Sequence, residues 1–113
     1  MHELAITESL IDLINREAKD KGFQKVLTIS LRVGEYSGLV PDCIQEFFPI
    51  AAKGTLAEGA ALDIRSVPAA FRCQECGYEG PVSRKAACCP DCSSTAIRMT
   101  AGREFFVESL KVE

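Results

Sequence analysis

Apolar positions over residues 4–21 follow helical spacing: Leu10, Ile14 and Ala18 recur every four residues, with Ile6, Leu13 and Glu17 following at turn spacing. Thr7 and Ser9 are weak helix formers, so the pattern allows a start later than Leu4. Lys19 and Lys21 in the last turn and Gly22 just beyond it are stop signals. In KVLTISLRVGEY the period changes to two. Leu27, Ile29, Leu31 and Val33 share one side and Thr28, Ser30 and Arg32 the other, the pattern of a half-buried strand. Gly38 and Pro41 mark a loop, and Asp42 stands near the start of a second helix, roughly 41–53. Pro49 lacks an N–H and collides with the carbonyl four residues back, which predicts a kink or a shortened helix. KGTLAEG reads as loop. ALDIRSVP follows as a strand with Leu62, Ile64 and Ser66 on one face, and EFFVESLKV closes the chain as a third.

Between the second and third strands the character changes. Residues 70–99 hold five of the six cysteines and few large aliphatic side chains, too few to build a core. The predicted class is α+β: a small three-stranded sheet with two helices, plus an inserted zinc-ribbon-like domain. The main domain is residues 1–69 and 100–113, and the insert is 70–99.

Composition narrows the setting. Hydrophobic residues make up 47% and charged residues 26% of the 113, the balance of a soluble globular chain. The apolar runs are too short to span a bilayer, and Glu3, with no basic region ahead of an apolar stretch, argues against a signal peptide. A net charge of −3 offers no general attraction to nucleic acid or anionic lipid. These features predict a cytoplasmic protein with neither nucleic acid nor membrane as a partner. A reducing compartment argues against a disulfide framework for the cysteines.

Cys73, Cys76, Cys89 and Cys92 form two C-x-x-C pairs separated by twelve residues. Each pair sets two thiolates on one tight turn, and two facing turns make a tetrahedral four-sulfur site for structural zinc. Gly77 and Pro90 suit such turns. Four thiolates leave zinc no open position, so this metal is not a Lewis acid for catalysis. Cys88 is surplus: a Cys88/Cys92 pair has C-x-x-x-C spacing that zinc tolerates, although Cys89 keeps the symmetric turn. Cys43 reads as a small core residue on the second helix.

His2 is the only histidine. With the Met1 amine and the His2 amide nitrogen, its imidazole forms fused five- and six-membered chelate rings. The Glu3 amide or a nearby carboxylate would complete a tetragonal set suited to Ni(II) or Cu(II). A terminal histidine in a loose tail is the commoner case, but here the helix signal begins almost at once.

MHELAITESLIDLI, LRVGEYSGLVPD, KGTLAEGAALDI, the CxxCG…CPDCSS pairs and the last strand together resemble the HypA/HybF family, in order and through essentially the whole chain. The resemblance implies a nickel metallochaperone of [NiFe]-hydrogenase maturation, not an enzyme. It implies Ni(II) as the transferred metal on Met1, His2 and Glu3, and structural Zn(II) on Cys73, Cys76, Cys89 and Cys92. It further implies a nickel-handling maturation GTPase and the hydrogenase large subunit as partners, and leaves a homodimer open. The exposed face of the first helix, with Glu8, Asp12 and Arg16, is a candidate docking surface for the GTPase. A rival reading, a zinc-ribbon module of a nucleic-acid or transcription complex, has only the ribbon in its favour. A zinc hydrolase would need an open metal position and a general base, which one terminal histidine supplies poorly.

Overall fold

The computed structural model describes residues 3–113. Its elements are α1 (Glu3–Lys21), β1 (Val26–Gly34), α2 (Pro41–Ala52), β2 (Ala61–Val67), β3 (Ala70–Cys73), β4 (Glu79–Gly80), β5 (Ile97–Ala101) and β6 (Phe105–Val112). The strands form two sheets of three, ordered β2-β1-β6 and β4-β3-β5. The chain divides into two units. The first comprises the residues up to Arg32, Leu39–Arg65 and Phe106–Glu113; the second comprises Val33–Gly38 and Ser66–Phe105.

In the first unit α1 packs against α2. The buried stripe of α1 is Glu3, Thr7, Leu10, Ile11, Ile14 and Ala18. The helix therefore starts at Glu3, earlier than the weak formers at Thr7 and Ser9 suggest. Tertiary burial decides this: Thr7 is fully buried, and its hydroxyl donates to the Glu3 carbonyl one turn back, so the residue costs the helix no unpaired polar group. Leu13 lies off the stripe and is 40% exposed, so the line through Ile6, Leu13 and Glu17 is not the core face. At the other end Gly22, at φ +78°, donates its N–H to the Ala18 carbonyl and stops the helix.

β1 is the central strand of its sheet and the most buried of the three. Ile29, Leu31 and Val33 alternate inward as expected, whereas Leu27, expected on the same side, is only half-buried and Val26 is buried at the start of the strand. Lys25 and Glu113 exchange N–H···O bonds in both directions, which sets β6 antiparallel to β1. Arg32 and Glu108 form an ion pair across these strands.

α2 opens with Pro41 in its first turn, where the missing N–H costs nothing. Pro49 does not shorten the helix, which continues three residues beyond it to Ala52. Ile44, Phe48 and Ala52 are buried on one face, on both sides of the proline. Their burial, about 1.5–3 kcal/mol for each large side chain, outweighs the loss of one hydrogen bond. Cys43 is only half-buried, not a core residue, because it falls beside that face.

The second unit has little core of its own. β3 pairs antiparallel with β4 and β5, and Phe71, Ile97 and Met99 are half-buried. Phe71 meets Tyr36 edge to face at 6.3 Å, and the Arg84 guanidinium stacks 4.3 Å over the Tyr36 ring. Only glycine fits at Gly34, where a Cβ would run into the Gly102 carbonyl.

Candidate metal centre

Two knuckles carry the cysteines, and they match bond for bond. In the first, the Cys73 carbonyl accepts from Gly77 N–H at 3.1 Å, and Cys73 N–H donates to the Tyr78 carbonyl at 2.8 Å. In the second, the Cys89 carbonyl accepts from Ser93 N–H at 2.9 Å, and Cys89 N–H donates to the Ser94 carbonyl at 2.8 Å. The residue after each second cysteine has left-handed backbone: Gly77 at φ +80° and Ser93 at φ +63°. That conformation folds the chain back so that both sulfurs of a pair point the same way. Further N–H groups aim at the sulfurs, from Cys76 to Cys73 Sγ at 3.5 Å and from Asp91 to Cys89 Sγ at 3.4 Å. Gly77 was legible from sequence. Ser93 was not, although its place in the echo of CQECG by CPDCS was the available signal.

The two knuckles bring the Cys73, Cys76, Cys89 and Cys92 sulfurs within 4.8 Å of one another. Cys73 and Cys92 Sγ lie 3.6 Å apart, and Cys76 and Cys89 Sγ 3.5 Å apart. Tetrahedral zinc with bonds of about 2.3 Å places its sulfurs about 3.8 Å apart, so the donor set has the size of a four-thiolate site. Cys73 and Cys89 are buried, while Cys76 and Cys92 are exposed residues. Cys88 is half-buried and does not belong to the cluster.

Electrostatics adds a second reason for a cation. The Cys76 and Glu75 N–H groups draw the Cys73 thiol down to about 7. On Cys76 the Tyr78 N–H favours thiolate, but the neighbouring sulfur of Cys89 and desolvation outweigh it, and the thiol is raised. On Cys92 the Ser94 N–H pulls the same way, yet desolvation and the other three cysteines push the thiol up to about 12. Four negative sulfurs at this separation repel one another unless protons or a dication lie among them. Metal binding replaces those protons.

The other sequence-assigned site lies at the terminus. Met1 and His2 fall outside the described residues. Glu3 is buried at the start of α1, and its carboxylate accepts a hydrogen bond from Val40 N–H at 3.0 Å. Its carboxyl is held below the ordinary carboxylate value, first by its own backbone N–H and then by that of Val40. Sequence reasoning assigned Glu3 to the metal and missed this link to the residue preceding α2.

The family described as hydrogenase/urease nickel incorporation, metallochaperone, hypA matches residues 1–112. The chain belongs to the HypA family. It is 41% identical over 113 residues to hydrogenase maturation factor HypA of Dehalococcoides mccartyi, covering 100% of this chain and 95% of that one. It is 39% identical over 113 residues to the same factor of Geobacter metallireducens, covering both chains completely. Among solved structures, a solution structure of a HypA protein superposes with a TM-score of 0.77 at 25% identity, covering 100% of this chain and 97% of the other. The solution structure of the Ni metallochaperone HypA from Helicobacter pylori gives 0.71 at 26% identity, covering 99% and 97%. Members of this family are maturation factors and metallochaperones, which agrees with two helices, small sheets and a ribbon-like cysteine cluster. Among the described residues, no helix is long and apolar enough to cross a membrane.

Proposed function

We propose that this chain carries Ni(II) on its N-terminus and delivers it during maturation of [NiFe] hydrogenase, while a structural Zn(II) is held by Cys73, Cys76, Cys89 and Cys92. The observation that carries the reading is the full-length membership of a nickel-incorporation family by a chain with MHE at its start. The Met1 amine, the His2 amide and imidazole nitrogens, and the Glu3 amide or carboxylate are the nickel donors. The α/β domain, 1–69 with 100–113, handles nickel, and the 70–99 insert holds zinc. The nickel-handling GTPase and the hydrogenase large subunit are its partners in the cytoplasm. Glu8, Asp12 and Arg16 are all exposed on α1 and offer a docking face for the GTPase.

The chemistry required is ligand exchange, not turnover. Unperturbed, the terminal amine titrates near ~7.7–8.0 and imidazole near ~6.5, and both must lose their protons to bind metal. Nickel affinity therefore declines as pH falls below neutrality, and a competing ligand can take the metal back. The test is nickel titration of the untagged protein beside His2→Ala and beside a copy extended before Met1. Both changes are expected to abolish tight nickel binding and leave zinc content intact. Equal nickel affinity in either variant would place the site elsewhere.

A further inference from the structure

Arg72 on β3 and Arg98 on β5 are direct partners in the antiparallel register. Like charges placed opposite each other on neighbouring strands destabilise a sheet. Glu79, the partner of Arg72 on β4, gives little relief: it lies 3.8 Å away, with both side chains more than 60% exposed. The Arg98 guanidinium has no ion pair or hydrogen-bond partner among the described residues. Gln74, in the turn just past β3, and Thr100, two positions beyond Arg98 on β5, lie beside the arginines. Together with Gly77 and the backbone at Cys73, these four side chains line a surface cavity of about 430 Å³.

Apart from the exposed Arg72–Glu79 pair, the two arginines have no carboxylate partner among the described residues, yet the arrangement presents two guanidinium forks, an amide and a hydroxyl to one space. The partner it lacks is an oxyanion. The backbone favours carboxylate over phosphate, since phosphate sites ordinarily draw on free N–H groups. Here the N–H groups of Cys73, Gln74 and Gly77 already donate to the carbonyls of Tyr78, Ala96 and Cys73. Only side-chain donors remain, and a guanidinium fork matches a planar carboxylate bidentately. We infer that the face of β3 and β5 bearing Arg72 and Arg98 docks an acidic segment of a partner protein, whose carboxylates the two arginines hold.

The inference does not depend on where nickel binds. It is tested with the full-length, metal-loaded protein and a fluorescein-labelled hexaglutamate peptide, titrated at low and high salt. Arg72→Gln and Arg98→Gln together should weaken binding about ten-fold or more, as expected for losing charge-assisted hydrogen bonds. Arg84→Gln, which removes the arginine stacked on Tyr36, should leave it unchanged. Arg98→Gln alone should keep or raise the melting temperature, because it relieves the opposed charges. Arg98→Glu should turn the preference towards a hexalysine peptide. Unchanged hexaglutamate affinity in the double variant overturns the docking face. So does displacement of chemical shifts at Arg72 and Arg98 by pyrophosphate but not by the peptide, which would make this a phosphate site. A lowered melting temperature in Arg98→Gln would mean that the pair serves the fold instead.

Discussion

Glu3 is a charged residue in a buried position, which chains avoid unless the charge has partners. It has one in Val40 N–H, so the first turn of α1 is tied to the residue that precedes α2. A carboxyl whose folded pKa lies below its ordinary value of 4.5 contributes stability that is fully present above that value. The contribution is lost as pH falls through the folded value. Amide exchange at Val40 should therefore be slow near neutrality and accelerate in acid, below the ordinary carboxylate range. Glu3→Ala should accelerate it at neutral pH, while Glu3→Gln, whose carbonyl oxygen can still accept, should keep most of the protection and lose the acid dependence. Val40 exchange that ignores Glu3→Ala would remove the link. From sequence, the nearness of Glu3 to His2 was visible. The bond to Val40 was not, because it spans 37 positions and depends on how the two helices pack.

Among the elements, the knuckles show what a short motif carries and what it leaves out. The C-x-x-C spacing announces two turns, but the backbone conformation that closes each turn belongs to the following residue. Gly77 adopts its φ of +80° at no steric cost, whereas Ser93 at +63° bears the strain of a side chain in the left-handed region. Gly77→Ala should destabilise the metal-loaded second unit by about 1–2 kcal/mol, since a Cβ there meets no neighbour and pays only the conformational penalty. Ser93→Gly should change it far less, within about 0.5 kcal/mol, because relief of strain is offset by a more flexible unfolded chain. Thermal melts of the two variants check this, and equal losses would contradict the matched-knuckle description. The helices show the converse. Pro49 is a local veto that the buried row Ile44, Phe48 and Ala52 overrides, and Thr7 is a weak former that a single hydroxyl bond makes acceptable.

On the scale of the whole molecule the two units are stabilised by different means. The first has an apolar core from α1, β1 and α2; the second has a short sheet and a cluster of four sulfurs. Structural zinc in small domains is worth roughly 10–16 kcal/mol at neutral pH, and that binding energy is folding energy. Removing metal with a chelator should collapse the amide dispersion of β3, β4 and β5 while most of the helical circular dichroism survives. Cys73→Ala and Cys89→Ala should reproduce this, whereas Cys88→Ala should retain the metal. Metal lost equally from Cys88→Ala and Cys89→Ala would redraw the ligand set. The sequence by itself determined the two helices, the strands β1, β2 and β6 and the family, and it singled out the four cysteines whose sulfurs converge, because periodicity and cysteine spacing are written in neighbouring residues. Only the tertiary structure decided the start of α1, the passage of α2 through Pro49, the half-exposure of Cys43, the engagement of Glu3 with Val40 and the opposition of Arg72 to Arg98. Each of these is settled by a contact between residues distant in the chain, where burial and strand register outweigh local propensity.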